Sequence, residues 1–223
     1  MDSGGRYFYI KDEDTIWSPG WKPCKTPLDS YECRHGMNYT SIKGEKNGVT
    51  ATTLFFVPLK TWAEVQKLTV TNNSTEVKKL TIFSFAEWCL WNAAADMENF
   101  QRNFSTGEVE VEDSVIYHKT EYKERRDHFA YYSVNTPVKG FDTDRETFFG
   151  LYNGFDEPQV VAAGMPTNTI AHGWSPIASH CIEVELNPGE SKDFVFLLGY
   201  VENGPDEKWE SKNIINKSKA KAT

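Results

Sequence analysis

The sequence predicts a mainly β protein, built as a large antiparallel sandwich. Apolar runs of strand length recur between turn residues, and almost no segment sustains a 3.6-residue period. Composition agrees, since 223 residues that are 39% hydrophobic and 14% aromatic hold enough apolar mass for one large β domain or two small ones. Turns at short intervals and about a dozen strands favour one large sandwich over residues 1–204, followed by a helical segment over 205–223.

Two strand pairs anchor the prediction. The first runs from Val65–Val70 through Asn72-Asn73-Ser74 into Lys79–Phe85, with turn residues where the chain must reverse. The second pairs Ile182–Leu186 with Phe194–Leu198 across Asn187-Pro188-Gly189-Glu190. In its first strand Ile182, Val184 and Leu186 share one face and Glu183 and Glu185 the other, whereas the partner is apolar on both faces. That asymmetry suggests an outer strand beside a buried one, as in stacked sheets. Further strands are predicted over 7–10, 49–57, 108–111, 115–118, 129–134 and 147–152. The one helix expected is C-terminal, over 206–220, where Asp206-Glu207 at the start and lysines at the end suit the helix dipole.

Charge and motif content exclude several functions. With 24 basic against 32 acidic side chains and no basic stripe, the chain lacks the concentrated cations that nucleic acid or an anionic membrane demands. No apolar run approaches bilayer-spanning length. Met1 to Arg6 has no charged lead before an apolar stretch, so a cytoplasmic setting is expected. Cys24, Cys33, Cys89 and Cys181 are then expected as free thiols. Cys24, Cys33 and His35 are near in sequence, but without paired Cys-x-x-Cys spacing a structural role outweighs zinc. Glycine loops for phosphate and Gly-x-Ser-x-Gly nucleophile elbows are missing too, so neither metal nor cofactor is expected.

One segment invites a carbohydrate reading. Between Glu87 and Arg126 the chain collects Trp88, Trp91, Asn92, Asn99, Gln101, Arg102, Asn103 and then Tyr117, His118, Lys119, Tyr122, Arg125 and Arg126. Aromatic faces cover the C–H side of a pyranose, and amides and guanidinium groups match vicinal hydroxyls. On composition alone the plainer alternative leads, in which the tryptophans fill the core and the charges pair on strand faces. The stretch from Trp91 to Asn103 is too polar at its far end for a buried strand and too long for a tight hairpin. Arg102 stands out there, because a planar guanidinium can bond two sugar hydroxyls or a phosphate at once.

At these residues the sequence resembles the N-terminal region of cellobiose phosphorylases of glycoside hydrolase family 94. The likeness lies in Arg6-Tyr-Phe-Tyr-Ile, Trp17-Ser-Pro-Gly-Trp21, Tyr31-Glu-Cys-Arg-His-Gly36, Glu87–Asn92, Asn99-Phe-Gln-Arg-Asn-Phe-Ser-Thr-Gly-Glu108, Tyr117-His-Lys-Thr-Glu-Tyr122 and Gly199-Tyr-Val-Glu-Asn203, in order. It implies a galactose-mutarotase-like super-sandwich lacking its first strands, with a helical linker and an (α/α)6 catalytic barrel beyond Thr223.

The implied reaction is inverting phosphorolysis of cellobiose to glucose 1-phosphate and glucose. Inorganic phosphate is a co-substrate, and a single carboxylic acid protonates the glycosidic oxygen. Both the acid and the phosphate-binding groups belong to the barrel, so this chain is expected to be inactive alone. The resemblance also implies a homodimer in which the sandwich sends a loop to its partner's acceptor site. Arg102 would contact the sugar there, with Gln101, Asn99 and Asn92 shaping the loop, while His118, Lys119, Tyr122, Arg125 and Arg126 match without an assigned role. The alternatives are a stand-alone carbohydrate-binding module and a structural interaction domain.

Overall fold

Alternation along the strands sorts side chains onto two faces of two sheets. The computed structural model describes residues 5–88, 107–119, 127–173 and 176–223. In chain order its elements begin with β1 (Arg6–Asp12), β2 (Thr15–Trp17), β3 (Ser30–His35), β4 (Tyr39–Lys46), β5 (Val49–Phe56), β6 (Ala63–Asn72) and β7 (Lys78–Glu87). There follow β8 (Val109–Glu112), β9 (Val115–His118), β10 (His128–Val134), β11 (Gly140–Asp142), α1 (Arg145–Phe149) and α2 (Gln159–Ala163). The chain closes with β12 (Ile177–Leu186), β13 (Ser191–Glu202), β14 (Trp209–Ser211), β15 (Ile214–Ile215) and α3 (Ser218–Lys221).

An eight-stranded sheet of order β3-β4-β5-β6-β13-β10-β9-β8 stacks on a five-stranded one of order β11-β12-β7-β1-β2. This is the mainly β antiparallel sandwich that the sequence predicts. Phe8, Ile10, Ile82, Ala86, Ile182 and Val184 face inward from the smaller sheet, against Ala51, Leu68, Val70, Tyr132, Phe194 and Phe196 from the larger. Tyr9, Phe83, Phe85 and Cys181 point the other way and are covered by Phe148, Phe149, Val160 and Val161 of the two helices. β7 is therefore buried on both faces, and Phe85 lies 5.3–5.7 Å from the rings of Phe148, Phe149 and Phe155.

Several expectations need correction. Neither anchor pair is a hairpin: β6 and β13 belong to the large sheet, β7 and β12 to the small one, so both turns are corners between sheets. Ile182, Val184 and Leu186 are buried and Glu183 and Glu185 exposed as expected, but the partner strand is not the fully buried one. β12 is buried on both faces from Ile177 to Ile182, while Val195, Leu197 and Leu198 of β13 are half-exposed. The run over 147–152 is not a strand, because Asp144 caps α1 by accepting from Thr147 N at 2.7 Å. α2 is a second helix that the sequence reading missed, stopped by Gly164 in the left-handed region (φ 68°).

The helix expected over 206–220 is replaced by a small hairpin and one helical turn. Asn213 adopts φ 63°, which a helix interior does not tolerate, and Trp209 turns back to pair with Ile215. Ile215 is buried with Tyr117, Phe129, Tyr131 and Val201 on the outer face of the large sheet. Ile215→Ala should cost about 2–3 kcal/mol in a urea melt by opening a cavity beneath this segment. A loss under about 0.5 kcal/mol would mean the segment does not contribute to the core.

Candidate functional site

Strand direction gathers the long connections at one rim of the sandwich. Register places the start of β1 opposite the end of β7 (Arg6↔Ala86), the end of β7 opposite the start of β12 (Glu87↔Ile177), and the end of β9 opposite the start of β8 (His118↔Val109). Segment 57–62 therefore lies at that rim, as do the described residues Trp88, Gly107, Lys119, Asp127, Gly173 and Pro176. The opposite end carries the short turns 13–14, 47–48, 73–77, 113–114 and 187–190 and the end of the longer connection 18–29. A rigid scaffold with its variable loops at one end is a common arrangement for a binding surface.

At this rim β7 runs out through Glu87 and Trp88, and the chain re-enters at Gly107 beside the other sheet. The Trp88 indole stacks on the His118 imidazole, ring centroids 5.3 Å apart and 4° from parallel. Gly107 has no room for a side chain, since a Cβ would meet Pro176 Cδ at 2.3 Å. Its carbonyl accepts from Gly173 N at 2.7 Å, and Glu108 bridges to His172. Glu87 pairs with Arg145, whose guanidinium lies 4.8 Å from the Phe149 ring and 5.2 Å from that of Phe155. Burial holds the Arg145 pKa below its ordinary value, opposed by the Tyr9 hydroxyl.

Lys119 is committed to structure. Its Nζ donates to the Asn213 carbonyl at 2.6 Å and lies 3.8 and 3.9 Å from Glu108 and Glu110. Its own carbonyl accepts from the buried Lys208 Nζ at 2.9 Å. The C-terminal hairpin thereby ties down the strand end from which 120–126 departs.

The sequence-derived site residues Arg102, Gln101, Asn99 and Asn92 lie outside the described residues, as do Tyr122, Arg125 and Arg126. Trp88, His118 and Lys119 are described, and the fold brings them together at the base of both segments. Among the described residues no three His, Cys, Asp or Glu side chains converge as a metal would require. Cys24 and Cys181 are held by burial as thiols, each pKa pushed up to about 12.

Sequence reasoning missed a second feature of the same rim. A groove of about 650 Å³ is lined by residues that include Arg6, Tyr39, Phe55, Leu59 and Glu64. Arg6 lies 4.9 Å over the Phe55 ring and bonds Glu64 at 2.6 Å, joining the two sheets. Leu59 and Trp62 beside it are 94% and 72% exposed. The sequence signal was faint, since such residues read equally well as strand ends.

Comparison with known families matches residues 1–221 to the supersandwich domain of glycosyl hydrolase 94. The chain belongs to the glycosyl hydrolase 94 supersandwich family. A solabiose phosphorylase from Paenibacillus borealis is 32% identical over 202 residues, which is 88% of this chain and 26% of that protein. An N,N'-diacetylchitobiose phosphorylase from Vibrio furnissii is 29% identical over 219 residues, 95% of this chain and 27% of that one. The chain thus spans about a quarter of the length of these curated relatives. A bacterial glucoamylase solved with acarbose superposes with TM-score 0.57 at 10% identity, covering 89% of this chain and 27% of that structure, a likeness of fold alone. Membership of the glycosyl hydrolase 94 family is therefore established at the level of the supersandwich domain, without a particular disaccharide.

Proposed function

We propose that this chain is the N-terminal sandwich region of an inverting disaccharide phosphorylase, acting in the cytoplasm as part of a homodimer. The observation that carries the reading is the family match over residues 1–221, joined to curated relatives that are themselves named as disaccharide phosphorylases. The region's part is to position, through the rim, a segment that reaches the acceptor sugar of the partner's active site. Arg102 contacts that sugar, and Gln101, Asn99 and Asn92 shape the segment. Catalysis itself belongs to the barrel, where one carboxylic acid protonates the glycosidic oxygen and phosphate replaces the activated water of a hydrolase.

Cellobiose is the substrate to test first, because the motif resemblance is to cellobiose phosphorylases; solabiose and N,N'-diacetylchitobiose are the competitors that the relatives suggest. In the enzyme that carries this region, Arg102→Ala should raise KM for the acceptor sugar in the synthetic direction by roughly 10- to 100-fold, the loss of a charge-assisted hydrogen bond. An unchanged acceptor KM would remove Arg102 from the site. The isolated chain should release no glucose 1-phosphate from cellobiose and phosphate. It should also give no heat with millimolar cellobiose, whereas saturable binding would point instead to a stand-alone carbohydrate-binding module.

A further inference from the structure

We infer that residues 143–173 form a clasp on both ends of the acceptor-binding segment, with Arg145 as the positioning residue at its first end. The clasp's role rests on the reading above, in which the segment between Trp88 and Gly107 carries the sugar contact.

At that first end the chain leaves β7 gripped from two layers. Alternation sends Phe83, Phe85 and Glu87 to the helix-covered face of β7, and Ile82, Ala86 and Trp88 to the core between the sheets. Trp88 accordingly stacks on His118 of the large sheet, while Glu87 pairs with Arg145, the first residue of α1. The side chains of Arg145 and Glu87 are 36% and 10% exposed, so removing either leaves a largely buried charge. The pair also fixes an angle. The planar guanidinium lies over the rings of Phe149 and Phe155, and both rings touch Phe85 of the strand that carries Glu87.

Thr143 joins this end of the clasp to the other. It is fully buried, and its carbonyl accepts from Ile177 N at 2.9 Å, Ile177 being the residue paired with Glu87 across the small sheet. Its hydroxyl donates to the Thr169 carbonyl at 2.8 Å and accepts from Ala171 N at 2.9 Å. The next two residues close on the segment's return. His172 bridges to Glu108, and Gly173 N donates to the Gly107 carbonyl at 2.7 Å. One excursion from the small sheet thus holds Glu87 at the exit and Gly107 and Glu108 at the return. The strands beyond those points, β7 and β8, belong to different sheets, so their relative placement sets how the sugar contact is presented.

Acceptor kinetics in the synthetic direction, in the enzyme that carries this region, test the clasp. Arg145→Met should raise KM for the acceptor sugar about tenfold and leave KM for glucose 1-phosphate within about twofold, because a contact displaced by a fraction of an ångström is weakened steeply. Arg145→Lys keeps a charge on Glu87 without the planar stack and should fall between wild type and Arg145→Met. Thr143→Val keeps the shape without the hydroxyl and should raise the acceptor KM about threefold. A purely structural role would instead lower kcat with the folded fraction and move neither KM. Asn72→Leu, at the far end of the sandwich, should do only that. In the 223-residue chain, Arg145→Met should speed amide exchange at Gly173 and Lys119 by about tenfold, as their bonds to Gly107 and Glu108 loosen. Unchanged exchange there, or an acceptor KM that Arg102→Ala raises and Arg145→Met does not, would overturn the clasp and leave the acceptor reading standing. An acceptor KM that Arg102→Ala leaves unchanged removes that reading, and the clasp's role with it.

Discussion

Asn72→Leu should lower stability by about 3–4 kcal/mol and the melting temperature by roughly 10 °C, because one buried amide joins both corners of the sandwich. Asn72 ends β6 and is fully buried. Its Nδ2 donates to the Glu76 carbonyl at 2.7 Å, holding its own corner, and to the Leu186 carbonyl at 2.9 Å, holding the other. Its Oδ1 accepts from Ser74 N at 2.9 Å and Ser74 Oγ at 2.7 Å. The backbone repeats the link, with Asn72 N donating to the Glu190 carbonyl at 2.9 Å and Gly189 N donating to the Asn72 carbonyl at 2.8 Å. Leucine matches the volume but strands the buried Leu186 carbonyl, and an unpaired buried acceptor costs more than a hydrogen bond contributes. Asn72→Asp keeps the Oδ1 contacts while losing both donations, so it should be destabilised comparably. A loss below about 1 kcal/mol for the leucine variant in urea melts would show that the backbone links alone hold the corners.

The same residue marks the limit of what could be read from the chain. Asn72-Asn73-Ser74 is turn chemistry, and the sequence places a reversal there, but the loop length fits a hairpin and a corner between sheets equally well. The distinction lies in which faces are later covered. β6 alternates buried with half-buried residues, whereas β7 is buried on both faces because α1 and α2 lie over it. Those helices are five residues each, too short for a 3.6-residue period to register. Thr147-Phe148-Phe149 therefore read as a strand, and only the Asp144 cap could have argued otherwise. The C-terminal hairpin was hidden for a similar reason. Its order depends on Ile215 reaching a distant sheet face, which no local pattern records.

The candidate site was legible as chemistry and not as place. Sequence picked out Trp88, His118 and Lys119 within one segment rich in aromatics and cations, and the fold puts these three at the base of that segment. It assigned Lys119 no role, and the hydrogen bonds give it one: securing the strand end to the C-terminal hairpin. The Arg6–Glu64 groove combines β1, β4, β5 and β6, so it follows from strand register across two sheets.

Acid should weaken the fold well before its carboxylates titrate, through His180. This side chain is buried between the sheets at 1% exposure, with Nδ1 3.0 Å from Ser84 Oγ and its ring 5.1 Å from Tyr132 and 6.1 Å from Phe196. Ser84 Oγ also accepts from His180 N at 3.0 Å, so one hydroxyl holds both the backbone and the ring of the same residue. Burial pushes the imidazole down to about 3, partly offset by a backbone hydrogen bond with Ser114. Tyr132 offers no anion to compensate, because burial raises its own pKa.

The folded chain thus releases a proton that the unfolded chain holds from pH about 6.5 downward. Stability is complete above that value and falls by about 1.4 kcal/mol per pH unit until the folded pKa is reached, a total of about 4–5 kcal/mol. Glu112, held down to about 2 chiefly by hydrogen bonds from Lys217 and Lys221, loses its contribution only below its unfolded value of about 4.5. Between pH 6.5 and 5 the two effects separate, and His180 should account for a fall of about 2 kcal/mol. In urea melts at pH 7, 6 and 5, His180→Gln should lower stability at pH 7 and flatten the slope. A wild type equally stable at pH 7 and 5, or a variant that keeps the slope, would show that another group carries the acid sensitivity.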